Sequence, residues 1–166
     1  MSHARALSLS LLALTFYSCQ TTRVHDVLDD SAGIESAKHA FLTAWTKEAG
    51  TAFTLDKLSR AVDTSEKFLS FDGMSQEKTV IEGWKAYAGI WGPGINGFAS
   101  GSLSESRAVS TWIGDDTAIT ASIARLQAVM PDGNKLDVLG HLTLGYQRHD
   151  GEWRVVHEHM SLGVKP

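Results

Sequence analysis

The chain has 166 residues, 43% of them hydrophobic, with a formal net charge of −4 and one cysteine. That is enough for one domain with a sizeable core and too little for two. The acidic balance and the lack of any Lys/Arg cluster exclude a nucleic-acid surface, which needs a basic face, and a lone cysteine excludes an intrachain disulfide.

The first residues read as a targeting segment. Arg5 gives a positive start, Ala6 to Phe16 form an apolar run too short to span a bilayer, and Ser18-Cys19 follows. Residues 1–19 are therefore expected to be a signal peptide. Cys19 stands where a bacterial lipoprotein is cleaved and acylated; Ser18 fits that pattern, while Phe16 and Tyr17 depart from it. Lipidation at Cys19 and an ordinary signal peptide both stay open. Either predicts an exported protein, periplasmic, membrane-anchored through the lipid, or secreted. Residues 20–33 are polar and read as a linker, leaving 34–166 as one domain.

Ile34, Ala37, Phe41, Trp45 and Ala49 recur at helical spacing up to Gly50 and predict a first helix. Leu55, Leu58 and Val62 suggest a short second one, with Thr54 available as its N-cap. Phe68 to Asp72 is a short strand candidate stopped by Gly73. A third helix is expected from about Ile81 to Trp91, with Thr79 and Glu82 at capping-box spacing and Gly92-Pro93-Gly94 ending it. After Gly97 the period changes to two. Strands are predicted over 98–113, 117–130, 135–148 and 153–162, joined by turns at Gly114-Asp115-Asp116, Pro131-Asp132-Gly133 and Asp150-Gly151.

The last turn is an Asp-Gly pair flanked by β-formers, a strong hairpin signal because both residues tolerate positive φ. Regular pairing from it sets Tyr146 opposite Val155, Leu144 opposite His157 and Leu142 opposite His159. One face would then hold Leu142, Leu144, Tyr146, Trp153, Val155, His157, His159 and Ser161. With Asp132 and Gly133 as a two-residue turn, Arg125 joins that face. Helices first and a meander afterwards give an α+β fold, about three N-terminal helices on one face of a curved antiparallel sheet, with room for a pocket between the layers. No P-loop, dinucleotide fingerprint, nucleophile elbow or Cys-based metal site occurs.

Phe41 and Trp45, Phe71-Asp72-Gly73 before Gly83-Trp84, Gly114-Asp115-Asp116, and the run Asp150-Gly151-Glu152-Trp153-Arg154-Val155-Val156-His157-Glu158-His159-Met160-Ser161 together resemble the SnoaL-like family of the nuclear transport factor 2-like superfamily. The closing run is also similar to the calcium/calmodulin-dependent protein kinase II association domain. The resemblance spans about Ile34 to Leu162. It implies a cone-shaped fold with a pocket and a homodimer formed through the sheet. It says little about the reaction, since the family holds isomerases, cyclases, hydrolases and scaffolds.

Arg125 aligns, across a one-residue gap, with a pocket arginine of the association domain. Arg125, His157 and His159 make the first candidate constellation. A guanidinium fork suits a carboxylate or enolate oxygen, and a histidine can act as base near neutral pH. Asp72 resembles in position the general base of the ketosteroid isomerase branch. Enclosed by Trp84, Tyr87 and Trp91 it would have a raised pKa, although capping the turn at Gly73 is the plainer role. That branch holds its oxyanion with a helix-one tyrosine and an aspartate, where this chain offers Phe41, Trp45 and Leu142 to Leu144. Trp84, Tyr87, Trp91, Tyr146 and Ser161 complete the expected pocket, and no resident metal or cofactor is expected. The sequence thus points to an exported protein binding a small acidic or carbonyl-bearing molecule. The alternatives are a cofactor-free isomerase, cyclase or hydratase, with Asp72, His157 and His159 as catalytic groups, and a dimeric interaction module.

Overall fold

The computed structural model describes residues 29–75 and 79–163. The expected signal peptide, Cys19 and most of the polar linker lie outside the described residues. Helix α1 occupies 29–44, so five residues taken for linker are helical, and its run stops before Ala49. Ile34, Ala37, Phe41, Leu42, Ala44 and Trp45 are buried along one side, the stripe a helix needs to dock on a sheet. Lys38 lies on that side too, and its Nζ reaches Glu105 at 3.0 Å, tying α1 to the sheet.

Helix α2 (Asp56–Ala61) leads through Val62 into strand β1 (Leu69–Asp72), and β2 (Val80–Glu82) pairs antiparallel with β1. Val80 to Glu82 was expected to open the third helix. Instead the β-branched pair Val80-Ile81 adds an edge strand, and Gly83, at φ +79, makes the break that starts α3 (Trp84–Asn96). Pro93 does not end that helix. It sits in the last turns, where Asn96 Nδ2 donates to the Gly92 carbonyl and to the Phe53 carbonyl, holding the end in place.

Strands β3 (Ser100–Ile113), β4 (Thr117–Val129), β5 (Lys135–His149) and β6 (Glu152–Leu162) form the expected meander. The sheet order is β2-β1-β6-β5-β4-β3, with β1 parallel to β6. The expectation of a cone on a strongly curved, all-antiparallel sheet is therefore corrected: the sheet is mixed and open, with β2 and β3 as its two edges. Alternation of side chains assigns faces but carries no information on a neighbour's direction, so β1 could not be oriented from sequence.

Two register details decide which side chains face the helices. The Asp150-Gly151 turn has both residues at positive φ and pairs Arg148 with Trp153 and Tyr146 with Val155, as expected. Beyond Val155 the ladder slips, and Gly145 pairs with His157, leaving Val156 as the extra residue of a β-bulge. The bulge lies where the neighbour of β6 changes: Asp63 N donates to the Val155 carbonyl, and β1 begins its ladder at Leu69 opposite His157. Leu144 therefore faces Glu158, and Leu142 faces Met160. In the β4–β5 turn, the Met130 and Asn134 backbones bond to each other across three residues, Gly133 taking positive φ. Arg125 consequently pairs with Leu139, not Gly140, and moves to the outer face.

Candidate active site

The inner face of the sheet and the helix layer enclose an apolar cavity floored by two carboxylates. Asp72 comes from β1, where alternation turns Phe68, Ser70 and Asp72 inward. Glu158 comes from β6, turned inward by the Val156 bulge. Asp72 is 3% exposed and Glu158 5% exposed. Trp45, Trp91, Phe98, Leu126, Met74 and Met160 supply the apolar walls, and among the described residues no lysine or arginine lines the space. The cavity is narrow. Its volume is about 40 Å³, and it opens to solvent at a mouth.

Glu158 Oε2 accepts hydrogen bonds from the Tyr87 hydroxyl and from Ser70 Oγ, the latter at 3.3 Å. Burial pushes the Glu158 carboxyl up to about 7, the Asp72 charge adds to the rise, and the Tyr87 and Ser70 hydrogen bonds oppose it. Tyr87 is itself raised well above the ordinary phenol range, by burial first and then by Glu158. Asp72 Oδ1 accepts the backbone N–H groups of Met74 (2.6 Å) and Ser75 (3.2 Å). Its pKa is raised by burial, with those two amides and the Trp91 indole favouring the charged form. The plain capping role and the buried carboxylate therefore coexist in one residue. Trp91 Nε1 nevertheless falls short of a hydrogen bond and, like Trp45 Nε1, is buried with no partner.

The remaining expected residues are scattered. His157 and His159 lie on the outer face, where both rings contact Phe71 edge-on, at 5.2 and 6.1 Å between centroids. His157 Nδ1 and the Leu69 carbonyl lie 3.0 Å apart, and burial lowers the His157 pKa. Ser161 follows the same phase outward. Arg125 is exposed and makes a two-pronged pair with Asp137, at 2.7 and 2.6 Å. The pairing of these residues into one pocket is thus corrected, by the bulge for the histidines and by the three-residue turn for Arg125. Of the expected aromatic residues, Trp91 lines the cavity and Tyr87 reaches it through Glu158. Trp84 packs half-buried against Tyr87, and Tyr146 is buried elsewhere, bonded to Thr120 at 3.0 Å.

Sequence reasoning missed Glu158 and Trp45 as cavity residues. A signal for Glu158 was present: Val155 and Met160 are five apart, an odd spacing that two inward residues of a regular strand cannot have. Gly145, opposite the bulge, is the second sign, since a Cβ there would lie 3.1 Å from that of His157.

Residues 39–165 match the model of the SnoaL-like domain, so the chain belongs to that family, within the nuclear transport factor 2-like superfamily. Among solved structures it is similar to a candidate aromatic ring hydroxylase from Novosphingobium aromaticivorans, with TM-score 0.69 and 16% identity over 83% of this chain and 92% of that one. A candidate dehydratase from Streptomyces avermitilis gives TM-score 0.67 and 14% identity over 82% and 98%. A candidate calcium/calmodulin-dependent protein kinase II association domain from Xanthomonas campestris gives 0.61 and 16% over 83% and 88%. At these identities the likeness concerns the fold alone. No curated protein matches the chain.

Proposed function

We propose that the protein takes a small, slender, uncharged molecule with a carbonyl group into the cavity above Asp72 and Glu158, and exchanges a proton with it without a cofactor. The observation that carries this reading is the pair of buried carboxylates on the floor of one apolar space, with Glu158 poised at about 7. A buried carboxylate with a raised pKa is the kind of base that can take a proton from carbon next to a carbonyl, and a partner near neutrality can return one. An acidic ligand, the other half of the sequence expectation, suits this cavity poorly. Two carboxylates, with no cation among the described residues of the lining, would repel it.

Proton transfer is tested by following deuterium uptake from solvent into 2-cyclohexen-1-one with the full chain. Exchange above the buffer rate that disappears in Asp72→Asn, with binding of the ketone retained, is the expected result. Exchange at the buffer rate in the wild type would leave a binding protein without turnover.

The outer face favours a second, compatible reading, the homodimer through the sheet. Trp112 (57% exposed) lies directly opposite Ile119, which is also exposed, and Phe71 is exposed further along the sheet, beside His157, with β5 and β6 between it and Ile119. Apolar groups of this size on one sheet face are usual at contacts between proteins. Sedimentation equilibrium on the wild type and on Trp112→Glu would show a dimer that the substitution dissociates; a monomeric wild type would dismiss it.

A further inference from the structure

Glu158 borders the cavity, yet its hydrogen bonds all lie on one of its two oxygens. Oε2 accepts both the Tyr87 hydroxyl, from α3, and Ser70 Oγ, from β1, the latter at 3.3 Å. Tyr87 and Ser70 are fully buried and neither lines the cavity, so Oε2 is turned away from it into the protein. Oε1 accepts no hydrogen bond among the described residues. The Trp45 and Trp91 indole nitrogens are sealed off without a partner, whereas Glu158 Oε1, equally without one, is not sealed. The oxygen of Glu158 that meets the cavity is therefore Oε1. Asp72 on β1 acts on Glu158 through its charge, Leu144 is its neighbour on β5, and no lysine or arginine among the described residues lines the space.

We propose that Tyr87 and Ser70 are positioning residues: they hold Glu158 by Oε2, so that its proton is carried on Oε1 and presented to the cavity. This rests on the reading of Glu158 as the group that returns a proton, and adds which of its oxygens does so and what holds it there. A protonated carboxyl group has one O–H and one carbonyl oxygen. With two hydroxyls donating to Oε2, that oxygen is the carbonyl and the proton belongs to Oε1. When the ligand takes the proton, the O–H bond at Oε1 breaks and its electron pair stays on the carboxylate. The negative charge then spreads on to Oε2, where both hydroxyls already donate. No group has to turn to receive it, the condition under which fixed dipoles act most strongly. Hydrogen bonds to an ionised acceptor are also stronger than those to a neutral one, so the same clamp favours release of the proton.

The test is the infrared C=O stretch of protonated Glu158, read on the full chain at pH 5 as the difference between wild type and Glu158→Gln. The carbonyl oxygen should be Oε2, and its two hydrogen bonds should put the band at the low-frequency end of the range for a carboxylic acid. Tyr87→Phe and Ser70→Ala should each move the band to higher frequency. With glutamate labelled with carbon-13 at Cδ, Tyr87→Phe should also raise the midpoint of the Glu158 titration by about one to two pH units, the size of a hydrogen bond to a charged group. Ser70→Ala, which removes the longer bond, should raise it by less. A wild-type band at the frequency of a free carbonyl, or a band and a midpoint that Tyr87→Phe leaves in place, would overturn the assignment. Neither readout needs a ligand. A wild type that exchanges no proton with a ketone would therefore refute the catalytic use of Glu158, while the clamp stands or falls on the spectrum.

Discussion

Replacing Glu158 by Gln keeps the shape of the side chain and an oxygen for Tyr87 to donate to, while removing the ionisable proton. The carboxyl is raised from its ordinary 4.5 to about 7. At about 1.4 kcal/mol per pH unit that difference amounts to roughly 3 kcal/mol. The direction follows from proton counts. Below about pH 4.5 the group is protonated in folded and unfolded chains alike and has no effect on stability. Between about 4.5 and 7 the folded chain keeps a proton that the unfolded chain has lost, so stability falls as pH rises, and above about 7 the loss is complete. The Gln variant lacks this titration. Urea denaturation of both proteins at pH 4, 6 and 8 should therefore show the variant gaining on the wild type by roughly 3 kcal/mol across that range. A difference that stays constant with pH would mean that Glu158 ionises as a solvated carboxylate, and the reasoning about the cavity floor would fail.

Gly140→Ala would place a Cβ 2.4 Å from the Ser161 carbonyl oxygen, at the end of the β5–β6 ladder where Gly140 pairs with Leu162. It should cost about 2–3 kcal/mol by denaturant titration, whereas Gly133→Ala, strained in φ but open in space, should cost about 1 kcal/mol. A chain trimmed to begin at residue 34 loses Asp30, which pairs with Arg148, and Gly33, which packs against Trp153. It should melt below a chain beginning at residue 29, by about 1–3 kcal/mol of stability; equal melting would show that the helix gains nothing from its first turn. If Cys19 is lipidated, Cys19→Ser should move the protein from the membrane to the soluble fraction of its host. Identical partition of the two would favour the ordinary signal peptide.

The four long strands could be read from sequence because period-two alternation persisted over ten or more residues and the turns carried Asp-Gly or Asp-Asp pairs. The core face of α1 was equally clear from Ile34, Ala37, Phe41 and Trp45. What could not be read depended on single residues out of step. One bulged residue, Val156, exchanges His157 and His159 for Glu158 and Met160 on the inner face, and no glycine or proline marks that residue itself. A third residue in the Pro131-Asp132-Gly133 turn does the same to Arg125. The candidate site changed with them, from an arginine and two histidines to two carboxylates beneath two indoles, although Asp72 and Trp91 belonged to both. The β2 strand was hidden for a different reason: three residues are too few to set a period, and Thr79 with Glu82 imitated a helix start. The parallel pairing of β1 with β6 is a tertiary choice, made when the chain returns from α2 to the far side of β6.

The most direct test of the cavity as the functional site is a thermal-shift series on the full chain with small ketones, run on wild type, Asp72→Asn, Glu158→Gln and Arg125→Ala. A ligand bound only by the folded state raises the melting temperature. Stabilisation by ketones that is retained in Arg125→Ala and in Asp72→Asn and changed in Glu158→Gln is the expected result. Stabilisation that vanishes with Arg125 and survives both carboxylate substitutions would place the site on the outer face and contradict the account.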